Sequence, residues 1–164
     1  MRYTPPRIRR AEKTITCDVN NGTASEVVFT VTGAVLVLRI WGEIVEADDI
    51  TNHTAGHLRT NDQTATIDLT EAGTGTALSG EAVGTIISKT ALAAVAITKD
   101  SNAVGAITEP ASAGQELFSP FIVVKKSGAV TTIDYRYTST DTPHDCDIRW
   151  KAEYIPLSDD GALA

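Results

Sequence analysis

The sequence predicts an all-β protein: a single-domain antiparallel β-sandwich, jelly-roll-like, with an extended N-terminal arm. Three observations carry that prediction. Thr is abundant along the whole chain, and β-branched residues favour strands over helices. Short apolar segments recur between clusters of Gly, Asn, Asp and Pro. Residues 145–154 alternate without a break, with Cys146, Ile148, Trp150, Ala152 and Tyr154 on one face and charged residues on the other. No segment assures a helix of useful length. At 164 residues the chain is long enough to bury a core without disulfide staples. Aromatics make up only 5% of it, so Val, Ile, Leu and Ala must carry the packing.

Residues 1–13 read as a basic arm and 14–164 as the sandwich domain. Arg2, Arg7, Arg9, Arg10 and Lys13 crowd the arm, opposed only by Glu12, on a chain whose net charge is −7. A basic arm with Pro5-Pro6 on an acidic body suits docking. A frayed, solvated tail is the plain alternative. Residues 14–19 read as the first strand, and Asn20-Asn21-Gly22 as a type I′ hairpin turn. Strands follow at 26–31 and 34–45, parted at Gly33. From Val35 to Trp41 almost every residue is apolar, so both faces of that strand need cover. One face goes to the core; the other needs a second sheet or another chain. Val35, Val37, Leu38 and Trp41 are the candidate subunit or capsid contacts.

Residues 48–62 read as a polar loop, 64–69 as a strand, and the glycine-rich 71–84 as turns. Residues 86–90 suit a helical turn, with a strand after it up to 98. Residues 103–108 form a weak strand, and 121–125 a stronger one that Ser127-Gly128 turns into 130–138. There Ile133, Tyr135 and Tyr137 face in, while Asp134 and Arg136 face out. The alternating strand 145–154 closes the domain.

The acidic balance argues against nucleic-acid binding by the body, and no run of ~18 apolar residues offers a membrane span. The basic start leads into TITCDV rather than an apolar signal core. His53 and His57 have the spacing of metal ligands on a helix, but Gly56 weakens a helix and no HExxH glutamate follows. Asp48 and Asp49 add oxygen donors without a fixed geometry. A polar loop is the favoured reading. His144 beside Asp145 has no nucleophile in a known setting, which leaves it a loop residue. GTGTALSG lacks the Gly-Lys-Ser/Thr ending of a phosphate loop. Cys17 and Cys146 fall on apolar faces and read as small buried hydrophobes; a bridge requires their strands to be neighbours. No catalytic, cofactor-binding or metal-binding residue is expected.

With those residues in view, the chain resembles small structural proteins of tailed-bacteriophage virions. The likeness rests on FTVTGAVLVLRIWGEIVEA, the Thr/Gly-rich middle and the ending WKAEYIPLSDDGALA. It is a likeness of layout over about half the chain and transfers no catalytic residue. It implies a β-sandwich or barrel that forms a homo-oligomer, with a trimer favoured. The partner is a major capsid protein or another virion protein, and the site of action is the capsid surface after assembly in the host cytoplasm. A capsid decoration (cement) protein is the leading reading. A tail or fibre module that binds a receptor or carbohydrate is the alternative, and a hydrolase built on His53, His57 and His144 comes third.

Overall fold

The computed structural model describes residues 7–19, 21–47, 52–72, 75–89, 96–100, 120–140 and 146–164. They form an all-β sandwich, and the strands run in chain order as follows. The first three are β1 (Arg9–Cys17), β2 (Gly22–Thr32) and β3 (Ala34–Ala47). Next come β4 (Thr54–Asn61), β5 (Thr66–Asp68), β6 (Ile86–Ser88) and β7 (Thr98–Asp100). The last four are β8 (Phe121–Val124), β9 (Thr131–Ser139), β10 (Cys146–Pro156) and β11 (Ala162–Leu163).

One sheet has the order β1-β10-β3-β6-β7, with β8 beside the first part of β3, and the other has the order β11-β2-β9-β4-β5. Every pairing is antiparallel. The quartets β1-β10-β3-β6 and β2-β9-β4-β5 face each other, and the chain changes sheet at most connections. That is the strand order of a jelly roll, so the predicted fold class holds. The core between the sheets is built on Trp150, Tyr135, Tyr137 and Phe29, with Ile40, Ile44, Ile133 and Ile148 around them.

The double-sided apolarity of β3 has a local cause. Against β10, Val37 pairs with Tyr154 and Arg39 with Glu153, which leaves Leu38 over as a bulge. The bulge shifts the inward parity. Val35 and Val37 point in before it, and Ile40, Gly42 and Ile44 point in after it. Apolar residues therefore occupy both odd and even positions, although each half of the strand alternates. Gly42 lies opposite Trp150. A Cβ there would come 2.9 Å from Ile148 Cγ2 and 3.2 Å from Trp150 Cδ2, so the indole occupies the space a side chain would need.

Four expectations are corrected. β1 begins at Arg9, so Arg9, Arg10 and Lys13 belong to a strand paired along its length with β10 rather than to a free arm. Asn21 has the left-handed φ of 56° that the turn signal requires, but β1 and β2 lie in different sheets. The turn is a corner between sheets and closes no hairpin. β4 runs through the segment read as a polar loop; only Leu58 supplies an apolar inward side chain, and its outward residues are Thr, His, Arg and Asn. Residues 86–88 are strand, not helical turn, because β3 on one side and β7 on the other satisfy their backbone. Residues 103–108 lie outside the described residues.

Candidate functional site

The outer face of the β1-β10-β3 sheet gathers the charged residues that alternation turns away from the core. Glu153 on β10 sits between strands β1 and β3. Arg10 Nε donates to its Oε1 at 3.0 Å, and Arg39 Nε donates to its Oε2 at 2.7 Å. The Arg39 bond, aided by Arg10, holds the Glu153 carboxyl below its ordinary range. One row along, Lys151 Nζ donates to Glu43 Oε2 at 3.0 Å, and the Arg39 guanidinium lies 5.0 Å from the centre of the Trp41 ring. Arg10, Glu12, Arg39, Trp41, Lys151 and Glu153 line a shallow cleft of about 280 Å³.

At the other end the same face is apolar. Leu36 lies between Ile122 on β8 and Ile155 on β10 in directly opposed positions. Val123 and Val35 turn inward there, so Ile122 and Val124 turn out, 62% and 61% exposed. Beside this patch a crevice of about 240 Å³ runs between β8 and β5, with Ile67, Leu69, Phe121 and Lys126 in its walls. Ile67 at its rim is also exposed.

The predicted contact residues divide. Val35 and Val37 are completely buried in the domain's own core, so neither offers a contact surface. Their second apolar neighbour is the facing sheet. Leu38 at the bulge and Trp41 beside Arg39 are half-buried and stay accessible. Arg7, Arg9, Arg10 and Lys13 are exposed. Lys13 Nζ donates to the Val27 carbonyl at 2.8 Å, tying β1 to β2 at the sandwich edge. Arg2 lies outside the described residues, as do His144, Asp48 and Asp49.

His53 and His57 do not converge. His57 stands on β4, not on a helix; its Nδ1 is 2.8 Å from the Ala55 carbonyl and its Nε2 is 3.8 Å from Asp68 Oδ1. His53 instead enters the core. Its Nε2 is 3.1 Å from the Tyr135 hydroxyl, and its ring stacks on Tyr137 at 4.5 Å between centroids. Burial pushes the Tyr135 hydroxyl well above its ordinary value, and nearby Cys17 and Cys146 add to the shift. Cys17 and Cys146 are directly opposed across β1 and β10 and remain thiols. The donor atoms of Cys17, Cys146 and His53 all lie within 4.8 Å of one another. Sequence parity put both cysteines on inward faces. Nothing local in the sequence marks His53 as the histidine that joins them.

Comparison of the chain with family models, with curated proteins and with solved structures finds no match.

Proposed function

We propose that the chain is a non-enzymatic structural protein of a tailed-phage virion. In this reading it is a capsid decoration protein that binds the outer capsid surface and stabilises the shell. The observation that carries the proposal is the outer face of the β1-β10-β3 sheet. An apolar patch, in which Ile122 and Val124 are exposed and Leu36 and Ile155 half-buried, adjoins a charged cleft holding Arg39 and Trp41. Exposed apolar area rimmed by polar groups is the composition of a docking surface, and Trp and Arg are its commonest anchors. A shell-stabilising protein needs buried contact area and no reacting group, which suits a face of this kind.

The face would meet the shell and neighbouring copies, with the basic residues of 1–8 reaching across the acidic surface. The carbohydrate-binding alternative needs an exposed aromatic platform. Trp150, Tyr135, Tyr137 and Tyr154 are all in the core, and Trp41 alone among these five is half-open.

The test is mass by light scattering at micromolar concentration, on the full chain and on Ile122→Lys/Val124→Lys. Wild type should give an oligomer, with a trimer favoured. The double variant should stay folded, because both positions are exposed, and lose the higher mass. A wild-type monomer would count against assembly through this face, and so would a variant that associates normally.

A further inference from the structure

We propose that Cys17, Cys146 and His53 bind a thiophilic closed-shell metal ion inside the sandwich, with Zn2+ favoured by charge. The three side chains are each 0% exposed, and their donor atoms lie within 4.8 Å of one another. Two thiolates at the Zn–S distance of ~2.3 Å stand ~3.7 Å apart around a tetrahedral ion. The cluster needs only a small contraction to reach that geometry. Soft sulfur donors with one imidazole select Zn2+ or Cu+ over hard cations.

The ligands come from both layers. Cys17 ends β1 and Cys146 opens β10, directly opposed in register. Cross-strand partners of this kind hold their Cα atoms ~4.5–5.5 Å apart, so the two sulfurs are presented together by backbone pairing alone. His53 arrives from the facing layer, where it stacks on β9. Its backbone carbonyl accepts from Leu78 N at 2.9 Å and from Ser79 Oγ at 3.2 Å, which fixes the segment.

The ring is fixed as well. Tyr137 stacks on it at an interplanar angle of 10°, and the Tyr137 hydroxyl accepts from Asp18 N at 2.8 Å. The Tyr135 hydroxyl holds Nε2 at 3.1 Å. When Nε2–H donates to that oxygen, the imidazole lone pair sits on Nδ1, the form in which histidine binds a metal. A hydrogen-bonded outer group that sets the tautomer accompanies most metal-bound histidines.

Binding replaces two S–H bonds by two metal–sulfur bonds and releases two protons to solvent. Two thiolates, a neutral imidazole and Zn2+ then sum to zero charge, which a fully buried pocket tolerates. Cu+ would leave one negative charge uncompensated. The bound ion would pin edge strand β1 to β10 and to the facing layer, adding a cross-link where the sandwich is open. The inference concerns the interior and does not depend on the docking face.

The test uses the full chain, purified reduced and without chelator, with elemental analysis of its metal. Chelated protein is then titrated with Co2+, Zn2+ and Cu+ against a chromophoric competitor. The expected results are one metal per chain, thiolate-to-Co2+ charge-transfer bands, and a higher melting temperature with Zn2+. X-ray absorption at the metal edge should find two sulfurs and at least one nitrogen. Cys17→Ala/Cys146→Ala should reduce the bound metal to background, and His53→Gln should remove the imidazole signature. Preference for Cu+ would support the site and fix the ion. Wild type that is folded, with two reduced thiols and no bound metal in any titration, would overturn the proposal. A mass short by two hydrogens, locating a Cys17–Cys146 disulfide, would do the same. These readings use wild type, so they stand even if a core variant fails to fold.

Discussion

Glu153 shows how a charged residue on an alternating strand becomes part of a built surface. Its carboxyl titrates lower in the folded chain than its ordinary 4.5, chiefly through the Arg39 hydrogen bond. A depressed carboxyl pKa contributes stability that is present above the unfolded value and lost as pH falls. Wild type should therefore lose more stability than Glu153→Gln between about pH 6 and about pH 3, read as urea midpoints. Equal losses would mean that the Arg10–Glu153–Arg39 bridge contributes nothing. Gly42→Ala probes the opposite kind of residue, one defined by the space it leaves. Its Cβ would crowd Ile148, Ile87 and Trp150. Overpacking of this sort costs ~1–3 kcal/mol, measurable by denaturant unfolding. Inward parity was legible for Ile133, Tyr135 and Tyr137. The surroundings of Asp134 were not. It faces outward as expected yet is almost completely buried, because Asn61 Nδ2 donates to it at 3.1 Å and Arg59 and Ser25 close over it. Those partners lie far away in sequence, so no local pattern announces them.

Strand β10 was the most legible element, since buried and half-buried positions alternate from Cys146 to Ala152, and Glu153 breaks the pattern only because Arg10 and Arg39 cover it on the outer face. Strand β3 was legible as a strand but not in its faces. β3 carries two surplus residues against β10, Leu38 and Val45; Leu38 reverses the parity within Val35–Ile44 and made a two-phase strand resemble a strand apolar on both sides. That reading yields a test. Removing Leu38 by deletion should force one half of β3 to turn its apolar side chains outward, because a one-residue slip exchanges the faces. The expected loss is ~3 kcal/mol or more, whereas Leu38→Ala, which keeps the count, should cost far less. Similar losses for the two variants would show that the bulge is incidental. Strands β4 and β6 were missed because their backbone pairing comes from remote strands, while their own residues carry a weak pattern. The glycine at position 33 marks the corner from β2 to β3. Its φ is +54°, and an added Cβ would run into Asp160 and Ser158.

For the whole molecule, composition and punctuation were enough to give an antiparallel sandwich of jelly-roll type. The order of strands within each sheet was not, because turn signals do not say whether the chain stays in one sheet or crosses. The corner at Asn21 and Gly22 is the clearest example. Two parts of the functional reading were similarly hidden until the layers were assembled. Val35 and Val37 moved into the core, while Ile122 and Val124 came forward as exposed surface. Deleting residues 1–8 would leave β1 whole and remove Arg2 and Arg7, so it separates a docking role for the basic terminus from the fold. Weaker shell binding with unchanged melting is the expected outcome, and undiminished binding would exclude the terminus. The proposed capsid role is tested most directly by co-sedimentation of the full chain with tailed-phage capsid shells. Saturable binding that Ile122→Lys/Val124→Lys abolishes is the expected result. Failure of the folded wild-type chain to bind such shells at micromolar concentration would contradict it.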